Sequence, residues 1–437
     1  MAGVKLAVLF VVGFVIVAAG LFLARQALIW TAPLLAAESM QPAPGSARTQ
    51  APPLPVFANG SPFAYAPLVA AAKTTTELED ATPVAAPVLL PTVTPEPSLT
   101  PSPTPLAQPT PSQPQYLAVA DEIALEGVRH AWQTWNNCGP ATLAMNLSFY
   151  GSPLDQAAVG AALRPFEDDK NVSPEEMAAY ALAQGFHAQV RVNGDAETLR
   201  RLLSNGFPVL IETWLEPEPD DGMGHYRLLT GYEHAAQRWI AFDSYDATDL
   251  VSADPALYAG IYLPYAEMDA LWAVFNRTYL LIYPPEQDTA LRAILGEAFE
   301  EQAMWQAALA QAQSEVAADA QDPFAWFNLG TSLTHLGDHA SAADAYDQAR
   351  AIGLPWRMLW YQFGPFAAYH ALGRYTDMLN LADSVLAATT SIEEIHYWRG
   401  LALAGLGDEA AARAAWQAAL DLNPAYAPAQ AALEPSP

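Results

Sequence analysis

Cys138 is the only cysteine in a chain of 437 residues. It stands in Trp135-Asn136-Asn137-Cys138-Gly139-Pro140-Ala141-Thr142, where a polar stretch turns into a helix. A lone cysteine makes no intrachain disulfide, so it is either a small buried hydrophobe or a thiol kept for its reactivity. Proline in the first turn of a helix sacrifices no hydrogen bond, and free N–H groups at a helix start favour a thiolate. A cysteine nucleophile also needs a base, a group that orients the base, and donors for the oxyanion. His225 opens the apolar stretch His225 to Tyr232, where a strand would hold an imidazole rigidly for proton transfer near neutral pH. Asp243 ends the next strand, Ile240-Ala241-Phe242-Asp243. A hairpin of the two would set Asp243 beside His225. Gln133, five residues before Cys138, carries an amide able to donate to an oxyanion beside the Cys138 N–H.

Around these residues, the elements expected from pattern run helix first and sheet later, an α+β order. Leu143, Leu147 and Tyr150 share a helix face, and Ser173-Pro174-Glu175-Glu176 is a capping box opening a helix to about Ala183. Phe186 to Val192 alternates as a strand, and Asp195 to Leu203 reads as a helix stopped by Asn205-Gly206. Phe207 to Trp214, His225 to Tyr232, Arg238 to Phe242 and Tyr279 to Tyr283 are further strands, expected to pair antiparallel.

Gln, Cys-Gly-Pro-Ala and the later His-Tyr-…-Gly-Tyr-…-Asp together resemble the papain-like double-glycine peptidases, which process bacteriocin leaders, and their stand-alone relatives. The resemblance covers about residues 125–285. It implies a papain-like fold acting on a peptide or protein substrate, with Cys138 as nucleophile, His225 as general base, Asp243 as its orienting partner and Gln133 as oxyanion residue. The family's glutamine usually stands six residues before the cysteine, where this chain has Trp132, and its Asp-Pro is here Asp243-Ser244. Asp246 is the fallback for Asp243. With no Gly-x-x-x-x-Gly-Lys motif, the transporter-fused form is not expected. Two other readings stay open: a catalytically inactive peptide-binding scaffold, and a cell-wall peptide amidase, whose nucleophile more often sits in Asp-Cys-Ser. His130 and His187 read as surface or core histidines, and Trp132 and Trp135 as packing. Glu216, Glu218, Asp220 and Asp221 read as a solvated loop rather than a calcium site, so neither metal nor cofactor is expected.

Residues 6–24 carry no charge and, at about 1.5 Å each, nearly match a hydrocarbon core of about 30 Å. They are expected to form a transmembrane signal anchor (1–25). Residues 26–118 are rich in Pro, Ala and Thr and are expected to be a disordered stalk. An anchor followed by such a stalk suggests a single-pass cell-membrane protein with extracytoplasmic folded domains. Residues 119–285 would be the peptidase domain. Residues 286–437 would be an all-α solenoid: Gly296, Gly330 and Gly400 fall near multiples of 34 residues, and Trp326, Leu329, Gly330, Gly337, Ala342, Tyr346 and Ala349 have the spacing of a tetratricopeptide repeat. Such repeats are expected to recruit a protein partner. The net charge of −28 argues against nucleic acid, which requires a basic face.

Overall fold

The computed structural model describes residues 116–217, 221–254 and 257–434, all of them within one compact unit. The expected anchor and nearly all of the expected stalk lie outside the described residues. Among those described, no helix is long and apolar enough to cross a membrane.

The first part is an α+β domain. Its strands are β1 (Glu122–Ala124), β2 (His187–Arg191), β3 (Val209–Leu215), β4 (Met223–Glu233), β5 (Arg238–Asp243), β6 (Ile261–Pro264) and β7 (Tyr279–Tyr283). Every pairing is antiparallel, in the order β2-β7-β3-β4-β5-β6, with β1 added to the far end of β4. Two-residue periodicity divides the core. Leu210, Leu228, Leu280 and Ile282 face the helices α1 (Cys138–Phe149) and α3 (Pro174–Ala183). Val209, Ile211, Leu229 and Leu281 face α4 (Ala196–Ser204) and Trp239. Each fully buried leucine contributes roughly 1.5–3 kcal/mol, so a one-residue register slip would turn two cores inside out.

Local signals set the ends of these elements. Ser173 and Glu176 form the predicted capping box, and Asp195 caps α4 through the Glu197 and Thr198 N–H groups. Between β4 and β5 the connection is one turn of 3-10 helix at His234–Ala236, closed by Gln237 in a left-handed conformation (φ 54°). A bulge lies between Leu229 and Gly231. Gly231 is required there, since a Cβ would collide with the Ile123 carbonyl of β1. Helix α2 (Gln156–Leu163), β6 and α5 (Tyr265–Ala273) complete the domain.

The chain continues as helices α6 (Asp288–Leu295), α7 (Glu301–Ala318), α8 (Pro323–His335), α9 (His339–Ile352), α10 (Gly364–Ala371), α11 (Tyr375–Leu386), α12 (Glu393–Gly405), α13 (Glu409–Leu422) and α14 (Ala427–Leu433). Two of the spaced glycines have one job: a Cβ on Gly330 would lie 2.6 Å from the Tyr346 ring, and one on Gly400 would strike Trp416. Gly296 is different. It follows α6 with φ 56° and open space where a Cβ would be, so it ends a helix instead of letting two helices approach. The helices are packed on the sheet domain through a shared core in which Trp214, Val274 and Phe275 join Phe327, Tyr346 and Trp398. Arg277–Glu315 (2.7 Å) and Arg357–Asp221 (2.6 Å) bridge the same boundary.

Gly330→Val inserts two branches against a fully buried tyrosine. Overpacking of this kind costs about 1–3 kcal/mol, read as a lower urea midpoint at unchanged slope.

Candidate active site

The segment entering α1 is shaped by two asparagines. Asn136 adopts a left-handed conformation (φ 54°), which asparagine tolerates better than most residues, and turns the chain toward the helix. Its side-chain amide donates to the Asp169 carbonyl. Asn137, the residue before the helix, is buried and donates to Gln156 Oε1 (2.9 Å), while Arg164 donates to its Oδ1 (3.3 Å). Asn137 makes no side-chain cap bond, and the Gly139 backbone N–H lies where it favours a thiolate on Cys138. Cys138 is the first helical residue and is partly exposed.

The hairpin of β4 and β5 supplies the rest. Arg227 lies directly opposite Asp243. His225, two residues earlier on the same face of β4, reaches the same carboxylate diagonally. His225 Nε2 is 2.9 Å from Asp243 Oδ1 and Arg227 Nε is 2.8 Å from Oδ2, with all three side chains almost wholly buried. Oδ1 also accepts the N–H groups of Tyr245 (2.7 Å) and Asp246 (2.8 Å). With Nε2 committed to Asp243, the other ring nitrogen of His225 is left for Cys138, which lines the same cleft.

Electrostatics follow from this packing. Burial pushes the Cys138 thiol up, but the hydrogen bond and charge of His225, aided by the Tyr226 and Gly139 backbone, outweigh it and bring it below its usual value. Burial favours neutral His225, yet the charge of Asp243 and its hydrogen bond raise the imidazole to about 9. Asp243 is held well below the usual carboxylate range, because His225 and Arg227 overcome its burial. Both shifts favour a thiolate and imidazolium over the neutral pair.

Gln133 lies in the same cleft, tied at two points to the residue after Asp243. Its N–H donates to the Ser244 carbonyl, and the Ser244 hydroxyl donates to its Oε1, both at 2.8 Å. This turns the NH2 end of Gln133 away from Ser244. Ser244, standing where the family often has proline, thus anchors the glutamine through its hydroxyl. Asp246 is set aside: its carboxylate accepts the Thr248 N–H (2.8 Å). His130 stacks on Tyr258 (3.5 Å between centroids) and bonds the Asp243 carbonyl through Nε2 (2.8 Å), a support for the strand end. Trp132 is exposed and packs edge-on against His130, whereas His187 lies 3.4 Å from Asp288 on the far strand β2. Asp221 is ion-paired with Arg357, and Glu218 and Asp220 lie outside the described residues.

The cleft holds about 700 Å³ of empty space, open solvent included. It is lined by Gln133, Cys138 and His225, and also by Asp169, Glu212, Tyr226 and Tyr361. Arg227, Asn136, Glu212 and Tyr361 were not singled out from the sequence, and Ser244 stood out only as a departure from Asp-Pro. Arg227 was within reach of the hairpin argument, since it shares the His225 face. Tyr361 gave no such signal, being far along the chain in the helical part.

Removing one partner of a buried ion pair leaves a buried charge uncompensated. Arg227→Met is expected to cost about 3 kcal/mol in urea unfolding. Arg399→Met, at the exposed pair with Asp383, should change little.

Residues 125–266 match the family model described as Peptidase_C39 like family, and residues 393–426 match that of a tetratricopeptide repeat. Among solved structures the chain is similar to a C39-like peptidase from Bacillus anthracis, at 15% identity over 37% of this chain and 96% of that one, TM-score 0.30. It is also similar to a double-glycine-motif protease from an AMS/PCAT transporter in complex with its leader peptide, at 19% identity over 37% and 94%, TM-score 0.27. A third is a MamA double mutant, at 23% identity over 28% and 67%, TM-score 0.26. No curated protein matches the chain. Residues 125–266 are therefore a Peptidase_C39-like domain of cysteine-peptidase fold, followed in the same chain by a tetratricopeptide repeat.

Proposed function

We propose that the protein is a membrane-anchored cysteine peptidase whose folded domains stand outside the cytoplasm. The observation that carries this reading is a thiol at a helix start that shares one cleft with an imidazole held by a buried carboxylate. In this reading the Cys138 thiolate attacks the carbonyl carbon of a peptide bond. The Cys138 N–H and the Gln133 amide face the oxyanion that forms. The His225 imidazolium gives its proton to the leaving amine, which departs and leaves a thioester on Cys138. His225, now neutral, takes a proton from water as that water attacks the thioester. The carboxylic acid product leaves, and thiolate and imidazolium are restored. Asp243 stays ionised throughout and holds the ring. The helical repeats would bring a protein partner or substrate to the cleft. The charge-free run 6–24 and the Pro/Thr-rich stretch after it support the anchor and the location. A protease added to intact cells should remove the folded part if it is extracytoplasmic and spare it otherwise.

Cys138→Ala is expected to abolish both peptide hydrolysis and labelling by a thiol-directed covalent inhibitor. Labelling that persists in this variant removes the nucleophile assignment. Turnover needs the imidazolium beside the thiolate. The His225 proton is present below its raised value and lost above it, so kcat/KM should fall as pH rises through about 9. At the acid side it should fall only once the lowered Cys138 value is reached. His225→Ala removes the partner that stabilises the thiolate, so iodoacetamide alkylation of Cys138 at pH 7 should slow by about tenfold or more.

A further inference from the structure

We propose that Glu212 and Tyr361 form a subsite beside Cys138 that takes a lysine or arginine side chain of the substrate. The proposal rests on the peptidase reading above and names the substrate class for the same cleft.

Glu212 is the one acidic residue of β3, an otherwise apolar strand apart from Thr213, and it stands opposite Tyr226 of β4, the neighbour of His225. It is 6% exposed and lines the cleft with Cys138. None of the ion pairs among the described residues includes it. Across the strand pair, the Tyr226 hydroxyl donates its single proton to the Val172 carbonyl (2.9 Å). Burial, with Glu175 and Cys138 adding negative charge, holds the Glu212 carboxyl well above the usual carboxylate range.

A buried acid without a cation is an expensive choice for a strand that apolar residues would fill well. An arriving ammonium or guanidinium changes this balance. The carboxyl releases its proton to solvent and gains a charge-assisted hydrogen bond in a partly desolvated site. The walls suit the rest of a long basic side chain. Leu215 and Met223 offer apolar surface for its stem, and the Tyr361 ring offers an aromatic neighbour for its charge. Lys170 also lines the cleft but is already bound to the Asp168 carboxylate, with its charge 5.9 Å from the Trp360 ring.

Tyr361 comes from the connector between α9 and α10, and the structure fixes it firmly. Its ring lies against Gly224, and it is edge-on to Phe275 at 6.2 Å. Arg357 of the same connector pairs with the Asp221 carboxylate and donates to the Asp221 carbonyl (2.9 Å). The helical part thus supplies a wall of the cleft at the loop that leads into His225.

The test uses the full chain and peptidyl chloromethyl ketones bearing arginine, or norleucine in its place, at the first or second residue from the reactive carbon. Labelling of Cys138 is followed by mass spectrometry. One arginine probe should label at least about tenfold faster than its norleucine counterpart, as expected of a charge-assisted bond gained in a desolvated pocket. In Glu212→Gln the ratio should fall close to one. Tyr361→Leu should lower it partway, and Tyr361→Phe should keep it. Equal rates for both probes in a wild-type protein whose Cys138 reacts with iodoacetamide overturn the subsite and leave the nucleophile standing. A ratio unchanged in Glu212→Gln also overturns it. If Cys138 fails to react with iodoacetamide at neutral pH, the peptidase reading is lost. Equilibrium binding of the arginine and norleucine peptides to the full chain then decides the subsite, and equal affinities reject it.

Discussion

The Asp243 carboxylate is buried between two cations, and the chemistry of the cleft hangs on that arrangement. One oxygen takes His225 and two backbone N–H groups, and the other faces Arg227. Taking a carboxylate out of water costs several kcal/mol, and only close, well-directed partners offset it. The antiparallel register of β4 and β5 supplies both, by setting Arg227 opposite Asp243 and His225 one step along the same face. The imidazole is thereby raised, and through it the thiol is lowered. Charge on Asp243 reaches Cys138 through a single ring.

Arg227 opposes this effect on His225, since two positive charges share one carboxylate. Its value is geometric. It keeps Asp243 ionised and fixed, so that the ring does not have to serve as the sole counter-charge. The same economy appears at Ser244, whose hydroxyl and carbonyl hold Gln133 from the strand end that presents Asp243. His225, Asp243 and Gln133 are all tied to the end of β5.

The helical part is more than an attached array. Its aromatic residues share a core with Trp214 and Phe275, and its connector brings Tyr361 to the cleft. Small residues make the helix packing possible: Gly330 and Gly400 leave room for Tyr346 and Trp416. A helix pair with a bulkier residue at either position would be pushed apart, and the shared core would be disturbed with it.

Much of this was legible in the chain itself. Two-residue alternation and the capping box located the main strands and α3, and the spaced small residues located paired helices. A single cysteine before Gly-Pro-Ala, a histidine opening one strand and an aspartate closing the next were enough to nominate Cys138, His225 and Asp243, because a hairpin is a local contact and its register follows from the turn. The elements that escaped notice were those with weak patterns: β1 has three residues, β6 four, and α2 is mostly alanine and glycine without a clear apolar stripe. Gly296 matched a repeat by spacing alone, and spacing does not distinguish a glycine that ends a helix from one that lets helices approach. The burial of Glu212 beside the thiol, the anchoring of Gln133 by Ser244, and the arrival of Tyr361 depend on contacts between elements distant in sequence. Local pattern dictates which residues share a strand or a helix face. Only the packing of sheet against helices decides which of those faces enclose a cleft.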